Sequence, residues 1–502
     1  MIERYKISLI ILLALVVRLY HIDFPVAGWH SWRQADTAAM ARNFAEDGFQ
    51  FLHPQIDWRG DTAGFVESEF PLYAYTAALL DALLGFSDMW GRMLSVLCSL
   101  AAIWGLYHLL RKYLSAQAAT WGALIYAIMP LNIYYGRAFM PESAMLMCSV
   151  LGIYWFSEWL DGREAKYFFL SWVCVALAAL LKLPTLYLGL PLLFLAWTKY
   201  GKSFAGNWQL WLFAFLVFVS VGLWYYHAHQ LYLQTGLTFG IWEAGTDKWA
   251  NFDMIITPKF YNDVFFKSFA ERHLTYAGFI PFVIGLFVSR TSKSERVFDW
   301  WLIALLVYVL IVARGNQVHE YYQLPFALPA VAYVGKVFAR YMPISSLREL
   351  VKMGSFRGLF FRLCLVGIVV LSFLRYSNFM NGETTDAPLF RLAADVQSTT
   401  SRTDLIVALS EGNPVVLYRC DRKGWNASVD QVDPAFLREK WERGARFIVG
   451  EKEPFNTPER QRRLDKLMTT LPAVKNERDH FILRLDYEDT EGSAAHGFNP
   501  SQ

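Results

Sequence analysis

Eleven apolar runs of roughly 15 to 20 residues recur along the chain, near 7–24, 91–110, 117–135, 142–160, 167–182, 184–198, 208–226, 274–289, 298–313, 322–339 and 359–375, and a run of that length crosses hydrocarbon as a helix. This pattern predicts a polytopic α-helical membrane protein with about eleven transmembrane helices. Composition agrees, because 55% hydrophobic and 17% aromatic residues in a chain of 502 exceed what one soluble core requires. The first run follows Arg4 and Lys6 in the manner of a signal peptide, but Arg18 lies within it and no small-residue cleavage site follows. It therefore reads as an uncleaved span.

Orientation follows from the basic residues of the short loops. With the N-terminus inside, the cytoplasmic segments carry sixteen Lys and Arg, running from Arg4 and Lys6 through Arg348 and Lys352 to Arg357 and Arg362. The opposite short loops carry three, Arg137, Lys182 and Arg314. This asymmetry places residues 25–90, residues 227–273 and everything after about 376 on the outer side. The net charge of +3 largely reflects the same signal, which argues against a nucleic-acid partner. Cys98, Cys148, Cys174 and Cys364 fall within predicted spans as small apolar residues, and Cys420 alone lies outside them, so no disulfide framework is indicated.

Composition changes near residue 376. Beyond it, an amphipathic stretch (389–396), β-like runs at 405–409 and 415–418, helices near 434–443 and 458–470, and strands at 446–449 and 480–485 alternate. The alternation predicts a small extracytoplasmic α/β domain over 376–502 with a disordered tail.

The outer loop 25–90 concentrates polar residues: His30-Ser31-Trp32-Arg33-Gln34-Ala35-Asp36, and then Glu67-Ser68-Glu69-Phe70-Pro71. Acids, a histidine and an arginine gathered on a loop of an oily protein point to substrate chemistry. Ser31 followed by Gln34 fits a capping box, with an apolar stripe from Ala35 to Phe44 and a stop at Gly48. Asp36 then sits one turn into a helix whose apolar flank faces the bilayer and whose acidic side faces a cavity. Residues 71–84 are too short to span and predict an interfacial helix that draws Glu67 and Glu69 to the membrane surface.

In order, these residues and those that follow, Arg137 with Pro141-Glu142, Lys182-Leu183-Pro184 and His319-Glu320-Tyr321-Tyr322-Gln323-Leu324-Pro325, resemble the GT-C superfamily of membrane glycosyltransferases. The similarity is to the branch of the protein O-mannosyltransferases, aminoarabinose transferases and bacterial relatives of the RgtA/B/C/D type, and it covers roughly residues 1–375. It implies a polyprenyl-phosphate-linked sugar as donor and a membrane-associated or extracytoplasmic glycan, lipid or protein as acceptor. It also implies an acidic first-loop residue, here Asp36, as catalytic base. Many relatives carry Asp-Glu in the first motif and Lys-Pro-Pro in the second, where this chain has Asp36-Thr37 and Glu69-Phe70-Pro71. Glu69 is then the acid of the second motif. The location implied is the plasma membrane, in bacteria the inner membrane.

The chemistry asks for the same residue types. A hydroxyl attacking an anomeric carbon needs a carboxylate to take its proton, and a departing lipid phosphate needs cations or a divalent metal ion. Direct attack inverts the anomeric centre. Arg137, Lys182, Arg314 and His319 are the basic groups that topology places at the outer face, and His30, Arg33, Asp57, Glu67, Glu142, Glu320, Tyr321 and Tyr322 are the candidates for substrate contact. Bland alternatives exist for several. Asp36 could form a structural pair with Arg33, Arg137 and Lys182 could snorkel, and Tyr321 and Tyr322 could belong to an interfacial aromatic belt. His319-Glu320 is a weak metal signal, because adjacent helical residues point in different directions. The competing functional class is a transporter or flippase for a lipid-linked sugar. That class usually shows inverted repeats and broken midplane helices, whereas here the ionisable residues gather at one face.

Overall fold

A computed structural model describes residues 2–240, 248–249, 252–343, 356–381 and 387–487. The expected disordered tail after 487 and the basic residues Arg348 and Lys352 lie outside the described residues. A helix underlies each of the eleven apolar runs. Among the described residues, four helices are long and apolar enough to cross a membrane unaided: Asp88–Tyr113, Glu142–Gly162, Trp208–Thr235 and Phe356–Met380. The other runs form shorter or interrupted helices. The 117–135 run, for example, breaks at Met129 into Ala116–Ile128 and Pro130–Tyr135, because a proline at the start of the second helix supplies no amide to the turn before it. Helices pack closely where side chains vanish. A Cβ on Gly335 would lie 2.3 Å from the Ala118 carbonyl oxygen, so the helices carrying Gly335 and Ala118 touch backbone to backbone.

The loop 25–90 follows α1 (Ile2–Leu19) and contains α2 (Ser31–Glu46) and α3 (Leu72–Leu84). The capping box does not form. The N-cap is His30 in a left-handed conformation (φ 49°), without a side-chain cap, and the Gln34 amide is committed elsewhere, donating to the Trp29 carbonyl and accepting from the Phe139 amide. Nor does α2 lie at a bilayer surface, since every residue from Arg33 to Phe44 is buried. The apolar flank expected at the bilayer is covered by protein along with the rest of the helix. Arg18, in the last turn of α1, meets no acid among the described residues; its guanidinium donates to Ser99 Oγ and to the carbonyls of Ala14, Ala127 and Asn132.

The last helix of the membrane part ends at Met380, and the α/β unit starts with the helix Pro388–Thr399. Its five strands, β1 (Leu405–Leu409), β2 (Gly424–Ala427), β3 (Ala445–Glu451), β4 (Ala473–Asn476) and β5 (His480–Arg484), form one sheet in the order β2-β1-β3-β5-β4. β1 pairs in parallel with β2 and β3, while β5 runs antiparallel between β3 and β4. The run 415–418, expected as a strand, is instead the helix Val415–Cys420. Pro414 presets the backbone at its start and the Asn413 side chain accepts from the Val415 amide, so burial of Val415, Val416, Leu417 and Tyr418 overrides their β propensity. Two strands escaped the sequence: β2 (Gly-Trp-Asn-Ala) and β4 (Ala-Val-Lys-Asn) are short and rich in poor strand formers. One face of the sheet and the helices on it share a continuous apolar core with the membrane helices, including Leu392, Val396, Ile406 and Leu417. The other face closes its own cluster around Val407, Ile448, Phe481 and Leu483.

Candidate active site

Extended backbone builds the site first. Glu67 donates its amide to the Leu237 carbonyl and accepts from the Phe239 amide, and the Phe70 amide donates to the Leu180 carbonyl. The segment 67–70 is thereby pinned between the end of the helix Trp208–Thr235 and the end of the helix Ala165–Leu181. Trp224 Nε1 donates to the Ser68 carbonyl, completing the clamp. Glu69 projects from this strip toward Lys182, which follows the last residue of the helix Ala165–Leu181.

Lys182 Nζ lies 3.1 Å from Glu69 Oε1 and 3.0 Å from Glu142 Oε1, and Arg33 Nη2 lies 2.6 Å from Glu69 Oε2. Two acids and two bases thus form a chain, Arg33–Glu69–Lys182–Glu142, brought together from α2, the loop, the C-cap of the helix Ala165–Leu181 and the start of the helix Glu142–Gly162. Burial would raise the Glu69 carboxyl, but Arg33 and Lys182 hold it well below the usual carboxylate range. Glu69, Lys182 and Glu142 line a cavity of about 630 Å³ together with Tyr321, Tyr322 and Lys248. The opposite walls are apolar, among them Leu186, Leu190, Val307 and Ile311. Lys182 Nζ also faces the rings of Tyr321 and Tyr322 at 5.7 and 5.8 Å.

Asp36 is set apart from that cavity. Its Oδ1 accepts from Trp58 Nε1 at 2.9 Å, and the residue is 3% exposed. Arg33 has turned to Glu69, so the structural pair with Asp36 is not made. Burial raises the Asp36 carboxyl to about 7, against the lowering influence of the Trp58 hydrogen bond and the Arg33 charge, while Asp57 and Glu69 add to the rise.

The other candidates are distributed. Glu320 Oε1 accepts from Trp29 Nε1 (2.8 Å), Tyr135 OH (2.9 Å) and His30 Nε2 (3.0 Å), so Glu320 and His30 belong to one buried polar knot beside the cavity. His319 sits in an aromatic stack with Tyr321, Tyr322 and Trp32, where burial pushes its imidazole down to about 4. Glu67 is taken by His229 and Thr238 and Asp57 by Arg42, Lys423 and Asn43; both tie chain segments together. Arg137 is buried, donating to the His21 carbonyl and touching the Met380 sulfur. Arg314 is exposed on the helix Ala313–Val318. The sequence reading missed Trp58 and Lys248. Nothing marks Trp58 locally, and Lys248 had only its place in the 227–273 loop to recommend it. Among the described residues, no group of three or more His, Cys, Asp or Glu is arranged to hold a metal ion, and Glu320, the acid of the His319-Glu320 pair, already takes three donors on Oε1, with the Arg272 guanidinium 3.7 Å from Oε2.

Comparison with known proteins matches part of the chain to a family model. The family model described as dolichyl-phosphate-mannose-protein mannosyltransferase matches residues 68–225, a stretch that contains Glu69, Glu142 and Lys182 but stops short of Asp36. The structure superposes on ArnT from Cupriavidus metallidurans, solved with undecaprenyl phosphate, with a TM-score of 0.67 at 12% identity, covering 96% of this chain and 98% of that one. The chain has the GT-C glycosyltransferase fold. This GT-C fold, a multi-pass membrane one, is shared with the archaeal oligosaccharyltransferase AglB from Archaeoglobus fulgidus, solved with an inhibitory peptide and a dolichol-phosphate. There the TM-score is 0.61 at 11% identity, with 90% of this chain and 69% of that one covered. A curated relative, an uncharacterized protein of Aquifex aeolicus, is 26% identical over 280 residues, and the match spans 58% of its length.

Proposed function

We propose that this GT-C chain transfers a sugar from a polyprenyl-phosphate donor to an acceptor hydroxyl at the outer face of the membrane, with inversion and with Asp36 as general base. The observation that carries the reading is the buried ion chain ending at a cavity with one polar end and apolar walls. The donor has that same polarity, a charged sugar phosphate on a hydrocarbon tail, and the cavity volume is in the range of small-molecule sites. Lys182, fixed between Glu69 and Glu142, offers a preorganised cation to the phosphate that departs, and Tyr321 and Tyr322 offer ring faces and hydroxyls to the sugar. The similar folds solved with undecaprenyl phosphate and dolichol-phosphate support a lipid-phosphate donor. Glycan, lipid and protein remain the acceptor classes.

In this mechanism the acceptor hydroxyl attacks the anomeric carbon, its proton passes to Asp36, and the carbon–oxygen bond to the lipid phosphate breaks. Asp36 must be ionised to act, and its carboxyl sits at about 7. Transfer measured as kcat/KM should therefore rise about tenfold per pH unit below 7 and level off above it, a limb that Asp36→Asn should abolish. A flat profile between pH 5 and 8 would remove the base from Asp36. Orientation is tested with reporter fusions: those after Lys112, Lys202 and Arg296 should report cytoplasm, and those at Asp57 and Asp430 the outer side. An outer signal at Lys202 with an inner one at Asp430 would invert the topology.

A further inference from the structure

The partner of Asp36 belongs to a segment that the C-terminal domain grips from several directions. Trp58 stands between Asp57 and Gly60, and both ends of this segment bond to Gly424 at the start of edge strand β2. The Gly424 amide donates to the Asp57 carbonyl at 3.1 Å, and the Gly60 amide donates to the Gly424 carbonyl at 2.7 Å. Trp425 of the same strand lies against Gly60, where a Cβ would come within 2.6 Å of its indole nitrogen. Gly60 has φ +59°, so the close approach and the left-handed turn both require glycine. The side chain of Asp57 adds Lys423 Nζ at 2.6 Å and the Arg42 guanidinium. Arg42 in turn reaches Asp421 at 2.9 Å and the Tyr418 carbonyl at 3.0 Å. Asp88 closes the frame, accepting from the Val26 amide at 2.6 Å and from Tyr418 and pairing with Arg419. The strip holding Trp58 thus has much of its support outside the membrane part of the chain. On its inner side the Trp58 ring meets Phe239 at 6.2 Å, and Phe239 lies 4.9 Å under the Arg33 guanidinium.

We propose that Trp58 is a positioning residue for Asp36, and that the C-terminal α/β domain is the brace that keeps its indole N–H on the carboxylate. The proposal rests on the reading of Asp36 as base and gives the domain a place in the chemistry: it orients and tunes the base rather than recognising a partner of its own. The physics is direct. A donor aimed at Oδ1 favours the charged form of a buried carboxyl, leaves one oxygen free to accept a proton, and fixes its direction. The charged groups facing Asp36 are Arg33 on its own helix and Asp57 and Glu69 on the loop. None is altered by changing the indole.

The test needs no substrate. In the full-length protein in lipid nanodiscs, the protonated-carboxyl infrared band that Asp36→Asn removes is titrated with pH, and thermal unfolding is recorded beside it. Trp58→Phe, which keeps the ring and loses the donor, should move the midpoint upward by about one to two units, ten- to a hundredfold in the protonation constant, the worth of one hydrogen bond to a charged group. Trp425→Leu, which changes no charge and lies in the other domain, should move it the same way by a smaller amount at unchanged unfolding temperature. An unmoved midpoint in Trp58→Phe would overturn the positioning role. A shift in Trp58→Phe with none in well-folded Trp425→Leu would overturn the brace. Failure of the base assignment is separate: it would show as normal sugar transfer by Asp36→Asn while the infrared shifts persisted.

Discussion

Asp36→Asn should lower sugar transfer by roughly two to four orders of magnitude, the usual worth of a general base, while leaving donor binding in place. The substitution preserves shape and keeps an oxygen able to accept from Trp58 Nε1, which lies 2.9 Å from Oδ1 in the native protein, so the indole need not move. What disappears is the lone pair that takes the acceptor's proton. The loss should appear in kcat rather than in apparent donor affinity, as expected for an interaction made in the transition state. Stability provides a second readout. The Asp36 carboxyl sits at about 7 when folded against an ordinary 3.8. Between those values the unfolded chain releases its proton first, so the native protein loses stability as pH rises from about 4 to about 7. Asp36→Asn should flatten that slope and be more stable than wild type at pH 8. If well-folded Asp36→Asn kept near wild-type transfer while Glu69→Gln abolished it, the base would move to the second motif. Loss of neither would remove the chemical support for the glycosyltransferase reading.

Lys182→Ala should cut both affinity and stability. Lys182 is the cation shared by Glu69 and Glu142, whose side chains are 20% and 1% exposed. Its removal leaves Glu142 buried without that charge and Glu69 with Arg33 as its one direct ion pair among the described residues. Breaking a buried pair on one side costs about 3–5 kcal/mol, which should lower the unfolding temperature by several degrees. Losing the phosphate contact should raise the apparent KM for a polyprenyl-phosphate sugar about 10- to 100-fold, since hydrogen bonds to charged groups are worth about 1.5–3 kcal/mol. Lys182→Arg should recover stability more fully than turnover, because the guanidinium restores charge but not the compact ammonium between two carboxylates. An unchanged donor KM in Lys182→Ala at normal stability would exclude the phosphate role.

Much of the architecture could be read from residue order. Runs of hydrocarbon length become helices because an apolar backbone in lipid must bond to itself, and each of the eleven runs has its helix. The continuous apolar strand β1 was likewise legible, as were the helices beginning at Pro434 and Pro458, each preceded by an Asp or Thr that caps it. At the site, acids and bases on one predicted face marked the first loop and Lys182 by type and topology, because charge on an oily chain is too costly to keep without use or partner, and the family resemblance singled out Asp36 and Glu69 among them.

Only tertiary structure decided which of these charges meet. Arg33 and Asp36 are neighbours on one helix, yet Arg33 turns to Glu69, 36 residues away, because Glu69 is pinned on an extended strip beside Lys182. Glu67, Asp57 and Glu320 carry the same charge as Glu69 but face His229, Lys423 and His30, partners 162, 366 and 290 residues distant. The helix Val415–Cys420 and the burial of α2 have the same origin: the sheet domain packs against the loop 25–90, and the two cover each other. Periodicity and propensity act over a few residues, within which backbone bonding and local sterics settle helix or strand. Ion pairing and burial instead depend on which surfaces the whole chain brings into contact, where the desolvation of a charge is met by a partner from anywhere along the sequence.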